Sequence, residues 1–446
     1  MPTLEPPAGF SFGQCGRCGA VRGVFVVVAA LSAGGCRFGY ELLPLDEVAG
    51  TSGMAGDGGG VGHAGAGQGG VGTGGGASGG VAGMNADAGA TDAGTTDGGA
   101  ALVDHWFDPA FAKRRRLTFD NVGATDLLGF VVPVVLSKNE IDYAALQPSG
   151  QDLRFVDVDD QTLLNYEIEA FVPGGVSVIW LRLPRVPAGD SASAWIYSQN
   201  PAAVDAQDAA KTWSIAFAAV YHLNGNANDS LAGSDGVVTG AKKGGGQLAS
   251  GLSFGSDADM IDAGSANAVD DLFANGGTVT AWIHPSSWGE GSFGRVADKA
   301  SDTLTAAGWA LQVDGGVAPN HALIFEHGFS GGVGRWNGPD ASISLGAWAH
   351  VAIVYDGSSA NNQPLMYVNG EPQALTVLDQ PSGTRASDAD INLGIGDQIA
   401  TKQRSFHGIL DEVRLEPIAQ TSDWIRAEHR SMSAGAVKFD TEQSRP

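Results

Sequence analysis

Two carboxylates stand side by side near the C-terminal end of the chain, Asp411 and Glu412 in the stretch FHGILDEVRL. An acid/base pair, a cation site and plain strand residues are the readings to separate. Ile409, Asp411, Val413 and Leu415 share one parity, and Leu410, Glu412 and Arg414 the other, the alternation of a β-strand. Neighbours on a strand leave by opposite faces, so the two cannot hold one substrate between them. Asp411 is expected on the inward parity, where a buried carboxylate needs backbone donors or a calcium ion. Glu412 is expected to face out beside Arg414. Loop 224–235 supplies further oxygen ligands for calcium, Asn226 and Asp229 among them, although Asn and Asp also dominate ordinary turns.

Other chemical residues read as structural. Asp157 and Asp159 share a strand face with Cβ atoms roughly 6.5–7 Å apart, within the range of glycosidase carboxylates. The run Asp159-Asp160-Gln161 instead marks a turn that caps backbone. Gly328-Phe329-Ser330-Gly331-Gly332 fits G-x-S-x-G, but no helical pattern follows it, as a nucleophile elbow requires. His321 and His327 would lie roughly 20 Å apart if extended, too far for one metal. Trp288 and Trp336 sit in polar, Gly-rich segments, where an exposed ring either covers a core edge or stacks on a sugar.

The bulk numbers set limits. Asp+Glu total 49 against Lys+Arg 25, a formal charge of −24, which argues against nucleic acid or anionic lipid as an electrostatic partner. The 67 glycines and the many Val, Ile, Thr and aromatic clusters lean towards an all-β fold. The three cysteines, Cys15, Cys18 and Cys36, precede every strand-like segment, so the folded part has neither disulfide nor thiolate metal site. Arg22 leads an apolar run, VFVVVAALSAGG, too short to span a bilayer. Small residues then lead to Cys36, the layout of a secretory signal. From 51 to 99 the chain is mostly Gly, Ala, Ser, Thr and Asp, too poor in apolar surface to offset its ordering entropy.

Short alternating runs begin at RRLTFDNV and continue through FVVPVVLS, DLRFVDVD, LLNYEIE, VSVIWLRLP and WIYSQNP, punctuated by Pro/Gly turns. With W-F-D-P-A-F-A-K-R-R-R-L-T-F at their head, they resemble domain of unknown function 2341, a family of secreted bacterial proteins without assigned activity. A second series follows: LSFGSDADMIDAG, TVTAWIHP, WAHVAIVYDG, MYVNG and FHGILDEVRL. Asn369-Gly370 within it is a hairpin-turn signal. In order and spacing this series resembles the laminin G-like, concanavalin A-like lectin superfamily, in which calcium is a common accessory. The tail TSDWIRAEHRSM resembles the ending of that pairing, a short helix that packs Trp424 and Ile425 back on the sandwich. LSAGGC resembles a bacterial lipobox, with Ala33 where the pattern has Leu; it implies lipidation of Cys36. Glucanases of the superfamily carry Glu-x-Asp-x-Glu or Glu-x-Asp-x-x-Glu on one strand, and neither run occurs here.

The expectation is therefore an all-β chain of two antiparallel β-sandwiches, the second a concanavalin A-like jelly roll, after a disordered Gly-rich tether. A signal is expected over 1–35, the tether over 36–103, the first sandwich over 104–210, the jelly roll with its helix over 211–432, and a tail over 433–446. The resemblances imply a non-catalytic, lipid-anchored envelope protein, with Cys36 as its only link to the membrane. Its expected partner is a polysaccharide or glycoprotein, met through Trp288 and Trp336. Structural calcium would be held by Asp411, Asp229 and Asn226. A polysaccharide hydrolase or lyase of the superfamily and a ligand-free envelope spacer are the alternatives.

Overall fold

The computed structural model describes residues 105–446, apart from 214–215, 302–303, 305–306 and 317–320. The expected signal, tether and Cys36 lie outside the described residues. The described chain is nearly all β. Among the described residues no helix is long and apolar enough to cross a membrane.

The first sandwich uses β1 (Lys113–Asp120), β2 (Leu127–Leu136), β3 (Arg154–Asp157), β4 (Tyr166–Ala170), β5 (Ser177–Val186) and β6 (Ser191–Ser198). A five-residue helix, α1 (Ala209–Trp213), leads out of it. The jelly roll opens with β7 (Ala219–Tyr221), β8 (Val237–Thr239), β9 (Lys242–Gly245), β10 (Ser250–Phe254) and β11 (Met260–Asp262). It continues with β12 (Gly277–Pro285), β13 (Phe293–Lys299), β14 (Trp309–Asp314), β15 (Ala322–His327), β16 (Gly334–Asn337) and β17 (Ala349–Tyr355). The remaining strands are β18 (Leu365–Val368), β19 (Glu371–Pro372), β20 (Thr376–Asp379), β21 (Gly394–Ile395) and β22 (Gly408–Glu416). Helix α2 (Ser422–Ser431) follows, then β23 (Val437–Phe439) and β24 (Gln443–Ser444).

Two sheets, β2-β5-β4 and β23-β1-β6-β3 with β24 beside β1, form the first sandwich. The segment expected to be a tail, 433–446, thus returns to pair with β1, Leu117 opposite Phe439 and Lys113 opposite Ser444. β1 therefore lies between β6 on one side and β23 and β24 on the other. Arg114 is buried between the rings of Trp106 and Trp195 and ion-paired to Asp160 at 2.7 Å.

Two eight-stranded sheets form the jelly roll: a back sheet, β19-β18-β17-β12-β22-β10-β9 with β7 beside β22, and a front sheet, β20-β16-β15-β14-β13-β21-β11-β8. Their facing sides bury one apolar core that includes Leu311, Phe325, Trp336, Val351 and Leu415. The other side of the back sheet is covered too. Trp282, Val354 and Tyr367 join Trp424 and Ile425 of α2 and the core of the first sandwich in a second, continuous cluster. Burial on both faces explains why every residue of β17 is buried and why alternation there is weak.

Local chemistry fixes the connections. Asn369 and Gly370 have φ of 52° and 78°, the mirror-image turn that Asn-Gly favours, and they join β18 to β19. Thr421 caps α2 by accepting from Trp424 N, and Asp423 lies in its first turn.

Candidate functional site

The outward side of the front sheet carries a polar groove of about 430 Å³. Alternation places its residues: Trp309, Leu311 and Val313 of β14 point into the core, so Gln312 and Asp314 point out. In the same way Leu323 and Phe325 of β15 point in, leaving Ile324 and Glu326 outward. Antiparallel register sets Arg295 opposite Gln312, Gln312 opposite Ile324, and Glu326 opposite Arg335. Phe293 and Leu378 add apolar surface to the lining. Glu326 is the hub: Oε1 accepts from Arg335 Nε at 2.6 Å, and Oε2 from Arg295 Nη1 at 3.3 Å. Arg295 also donates to Gln312 and lies 3.0 Å from Asp298. Burial, partly offset by the charge of Arg295, pushes the Asp298 carboxyl up to about 7.

A second polar cluster lies at the seam between the sandwiches. Glu167 and Glu169 come from β4, His222 follows β7, and Asp411, Glu412, Arg414 and Glu416 come from β22. Opposite Ala281, β22 carries one residue too many: Thr280 pairs with Arg414, but Trp282 pairs with Asp411. Glu412, at φ 52°, sits in this bulge. Strand parity therefore fails here. Leu410 and Val413 both enter the jelly-roll core, and Asp411 and Glu412 both leave on the seam side, each buried. The inward placement of Asp411 with Ile409 and Val413, and the solvated placement of Glu412, are thus corrected. The bulge turns both side chains to one face, and the first sandwich covers it.

His222 is the centre of the seam. Its Nδ1 lies 2.9 Å from Glu412 Oε1 and its Nε2 3.2 Å from Glu167 Oε2. Its ring stacks on Trp180 at 5.4 Å. Burial alone would lower its pKa, but the negative charges of Glu412 and Glu167 raise it well above the usual value. Glu169 accepts from Trp180 Nε1 at 3.0 Å, and burial, reinforced by the charge of Glu412, pushes it up to about 8. Arg414, between the Trp180 and Trp213 rings, bonds Glu412 at 2.7 Å and Glu428 of α2 at 3.1 Å.

The residues singled out from the sequence fall elsewhere. Trp336 lies in strand β16, fully buried in the jelly-roll core, with Nε1 donating to Gln363; it cannot stack on a ligand. Trp288 is half-buried, stacked at 4.5 Å on His321, and lines no part of the groove. Both oxygens of Asp229 accept backbone N–H groups, Oδ1 from Val220 and Leu231 and Oδ2 from Gly233 and Ser234. Asn226 Oδ1 accepts from Asn228 N, and Asp411 Oδ2 accepts from Leu248 N. These three make turn and backbone contacts, not one calcium cage. The groove residues and the Glu167–Glu169–His222 set went unread in the sequence. Outward parity in WALQVD and ALIFEH marks the first set, and the E-x-E alternation of YEIE marks two members of the second.

Two packed sheets with a groove on the uncovered face define a concanavalin A-like jelly roll. Residues 255–426 match the family described as the concanavalin A-like lectin/glucanases superfamily, and residues 149–234, preceding it, match a domain of unknown function, DUF2341. The DUF2341 match includes Glu167, Glu169 and His222, and the other includes Glu412. No curated protein matches the chain. Among solved structures it is similar to the binding domain of Paraclostridial mosquitocidal protein 1, with 12% identity, a TM-score of 0.38, and coverage of 48% of this chain and 52% of that one. It is also similar to the botulinum neurotoxin serotype G binding domain, at 11% identity and a TM-score of 0.36, covering 48% and 50%. The binding domain of botulinum neurotoxin DC, solved in complex with rat synaptotagmin II, is 10% identical with a TM-score of 0.37, covering 50% and 52%. The chain spans about half the length of these solved chains.

Proposed function

We propose that this chain is a non-catalytic surface protein, anchored through a lipid on Cys36, whose jelly roll binds a glycan in the front-sheet groove. The observation that carries this reading is the groove itself. Strands β13 to β16 and β20 present Arg295, Gln312, Asp314, Glu326 and Arg335 beside the apolar surface of Phe293 and Leu378. Sugars are held by that combination, an apolar face under the ring and a few fixed polar groups at its hydroxyls.

A second reading, glycan hydrolysis, has one observation in its favour. Asp298, raised to about 7, stands near Glu326 as a general acid stands near a nucleophile. Access weighs against it. Asp298 is 1% exposed beneath Arg295, and both oxygens of Glu326 are engaged by guanidinium groups. The other groove carboxylate, Asp314, is offset from Glu326 by four residues along the register. That puts their backbone positions roughly 13 Å apart.

A glycan array read with the full chain and with Arg335→Ala tests the binding reading. The Arg335 side chain is 41% exposed, and Arg295 remains to pair with Glu326 when it is removed. Removing a bond to a charged group is expected to weaken retention about tenfold or more. Binding unchanged in the variant, or no glycan retained, overturns the reading. New reducing ends from a polysaccharide, lost on Glu326→Gln, would establish the hydrolase instead.

A further inference from the structure

The seam holds more acid than its cations balance. Glu167, Glu169, Asp411, Glu412, Glu416 and Glu428 surround Arg414 and His222, and burial raises Asp411, Glu416 and Glu428 above the ordinary carboxylate range. Three of these side chains converge: Glu169, His222 and Glu412 each offer a donor atom within 4.8 Å of the others. Asp411 Oδ1, Arg414 Nε, Glu416 Oε1 and Glu428 Oε2 of the seam are buried without a hydrogen-bond partner, and so is one atom of the converging three. Glu169 Oε1 is buried without a hydrogen-bond partner, on a side chain 2% exposed. A buried carboxylate oxygen left unpaired is costly, and it calls for a cation or a proton.

We propose that Glu169, His222 and Glu412 form a binding site for a divalent transition-metal ion that joins the first sandwich to the jelly roll. His222 Nδ1 lies 2.9 Å from Glu412 Oε1 and 3.9 Å from Glu169 Oε2. Those separations bracket the roughly 3.4 Å edge of a tetrahedron with metal–ligand bonds of about 2.1 Å.

The surrounding shell is the one such ligands need. Nε2 of His222 faces Glu167 Oε2 at 3.2 Å, so an N–H donated there leaves Nδ1 free to ligate. Glu167 is fixed in turn by Trp213 Nε1 at 2.5 Å and Ser230 Oγ at 2.9 Å. Arg414 orients Glu412, and Trp180 Nε1 orients Glu169. A pocket of about 380 Å³ opens beside His222, lined also by Asn224, Asn226 and Ser230, and gives a fourth ligand, water or solute, a way in.

The donor set selects the metal class. One imidazole with two carboxylates suits zinc or manganese, whereas calcium takes six to eight oxygens. The competing occupant is the proton. With His222 as imidazolium and Glu169 neutral the cluster also balances, so the ion must displace both protons and binds more tightly as pH rises. The site shares no residue with the front-sheet groove.

The test uses the full chain, stripped with a chelator and titrated with Zn²⁺ and Mn²⁺ at pH 8. The expected result is one ion per chain by elemental analysis after dialysis, with a higher melting temperature than the stripped protein. Glu169→Gln keeps the shape and the Trp180 contact but loses the charge, and should bind at least tenfold more weakly while still folding. Glu167→Gln, one shell out, should keep the one-ion stoichiometry with affinity about 10–100-fold lower. No ion bound by folded wild-type protein overturns the proposal. So does a Glu169→Gln variant that binds as tightly as wild type, since the ion is then elsewhere.

Discussion

Glu412 has both oxygens engaged, Oε2 by Arg414 and Oε1 by His222, at a place 1% exposed. Truncating it leaves Arg414 buried with Glu428 as its one remaining hydrogen-bonded carboxylate. Breaking a buried pair in that way costs about 3–5 kcal/mol, and Glu412→Ala should show it in urea melts. Asp411 behaves differently although it is the next residue. Burial, then the charge of Glu412, raises its pKa well above the usual carboxylate value, so a neutral group suits the site. An amide at 411 keeps an oxygen to accept from Leu248 N and removes the repulsion. Asp411→Asn should therefore stay within about 1 kcal/mol of wild type or exceed it. The reverse ranking of the two variants would refute the seam geometry around the bulge.

At the scale of elements, the seam sets a pH dependence of known sign. Glu169 titrates at about 8 in the folded chain, far above a free glutamate, and His222 is raised above its ordinary 6.5. Between about pH 6.5 and 8 the folded chain therefore holds protons that the unfolded chain has released. Stability must fall as pH rises, by about 1.4 kcal/mol per pH unit for each extra proton. Below that window His327, lowered to about 4, and His350, lowered further by burial, act in the opposite sense. Denaturant midpoints of the metal-free chain at pH 6.5, 7.25 and 8 measure the slope, and a flat or rising series would sink the assignment. Much of the framework behind these numbers is legible in the sequence, because it rests on local chemistry. Asn369-Gly370 marks its hairpin, WALQVD its in-out strand, and TSDWIRAEH its capped helix. The seam is not legible, for two physical reasons. The extra residue at Glu412 reverses a parity that simple alternation counts, and a sheet covered on both faces hides which of its sides meets a second domain. Trp336 misleads in the same way: Gly-rich flanks suggest a loop, while pairing with Phe325 across the sheet makes it core.

At the scale of the whole described molecule, the two sandwiches share one apolar cluster instead of meeting across a wet interface. Phe130 of the first sandwich packs edge-on against Trp424 of α2 at 4.9 Å, and Trp282 and Tyr367 of the back sheet belong to the same cluster. The described chain also closes on itself, since β23 and β24 follow α2 and pair with β1, its first strand. Contacts of that continuity predict one cooperative unfolding transition, with calorimetric and van't Hoff enthalpies equal, although sequence families divide the chain in two. Deleting 437–446 tests how far the coupling reaches. It strips β1 of its partner on one side, removes the side chains of Val437 and Phe439 that pack against the shared cluster, and exposes a strand edge. The shortened chain should still melt in a single step, at a lower temperature, because the jelly roll cannot stay folded on its seam side once the first sandwich opens. A trace in which the jelly roll melts at its original temperature after a separate, earlier transition would show that the two units are independent, and that the buried charges between them are an interface and not part of one core.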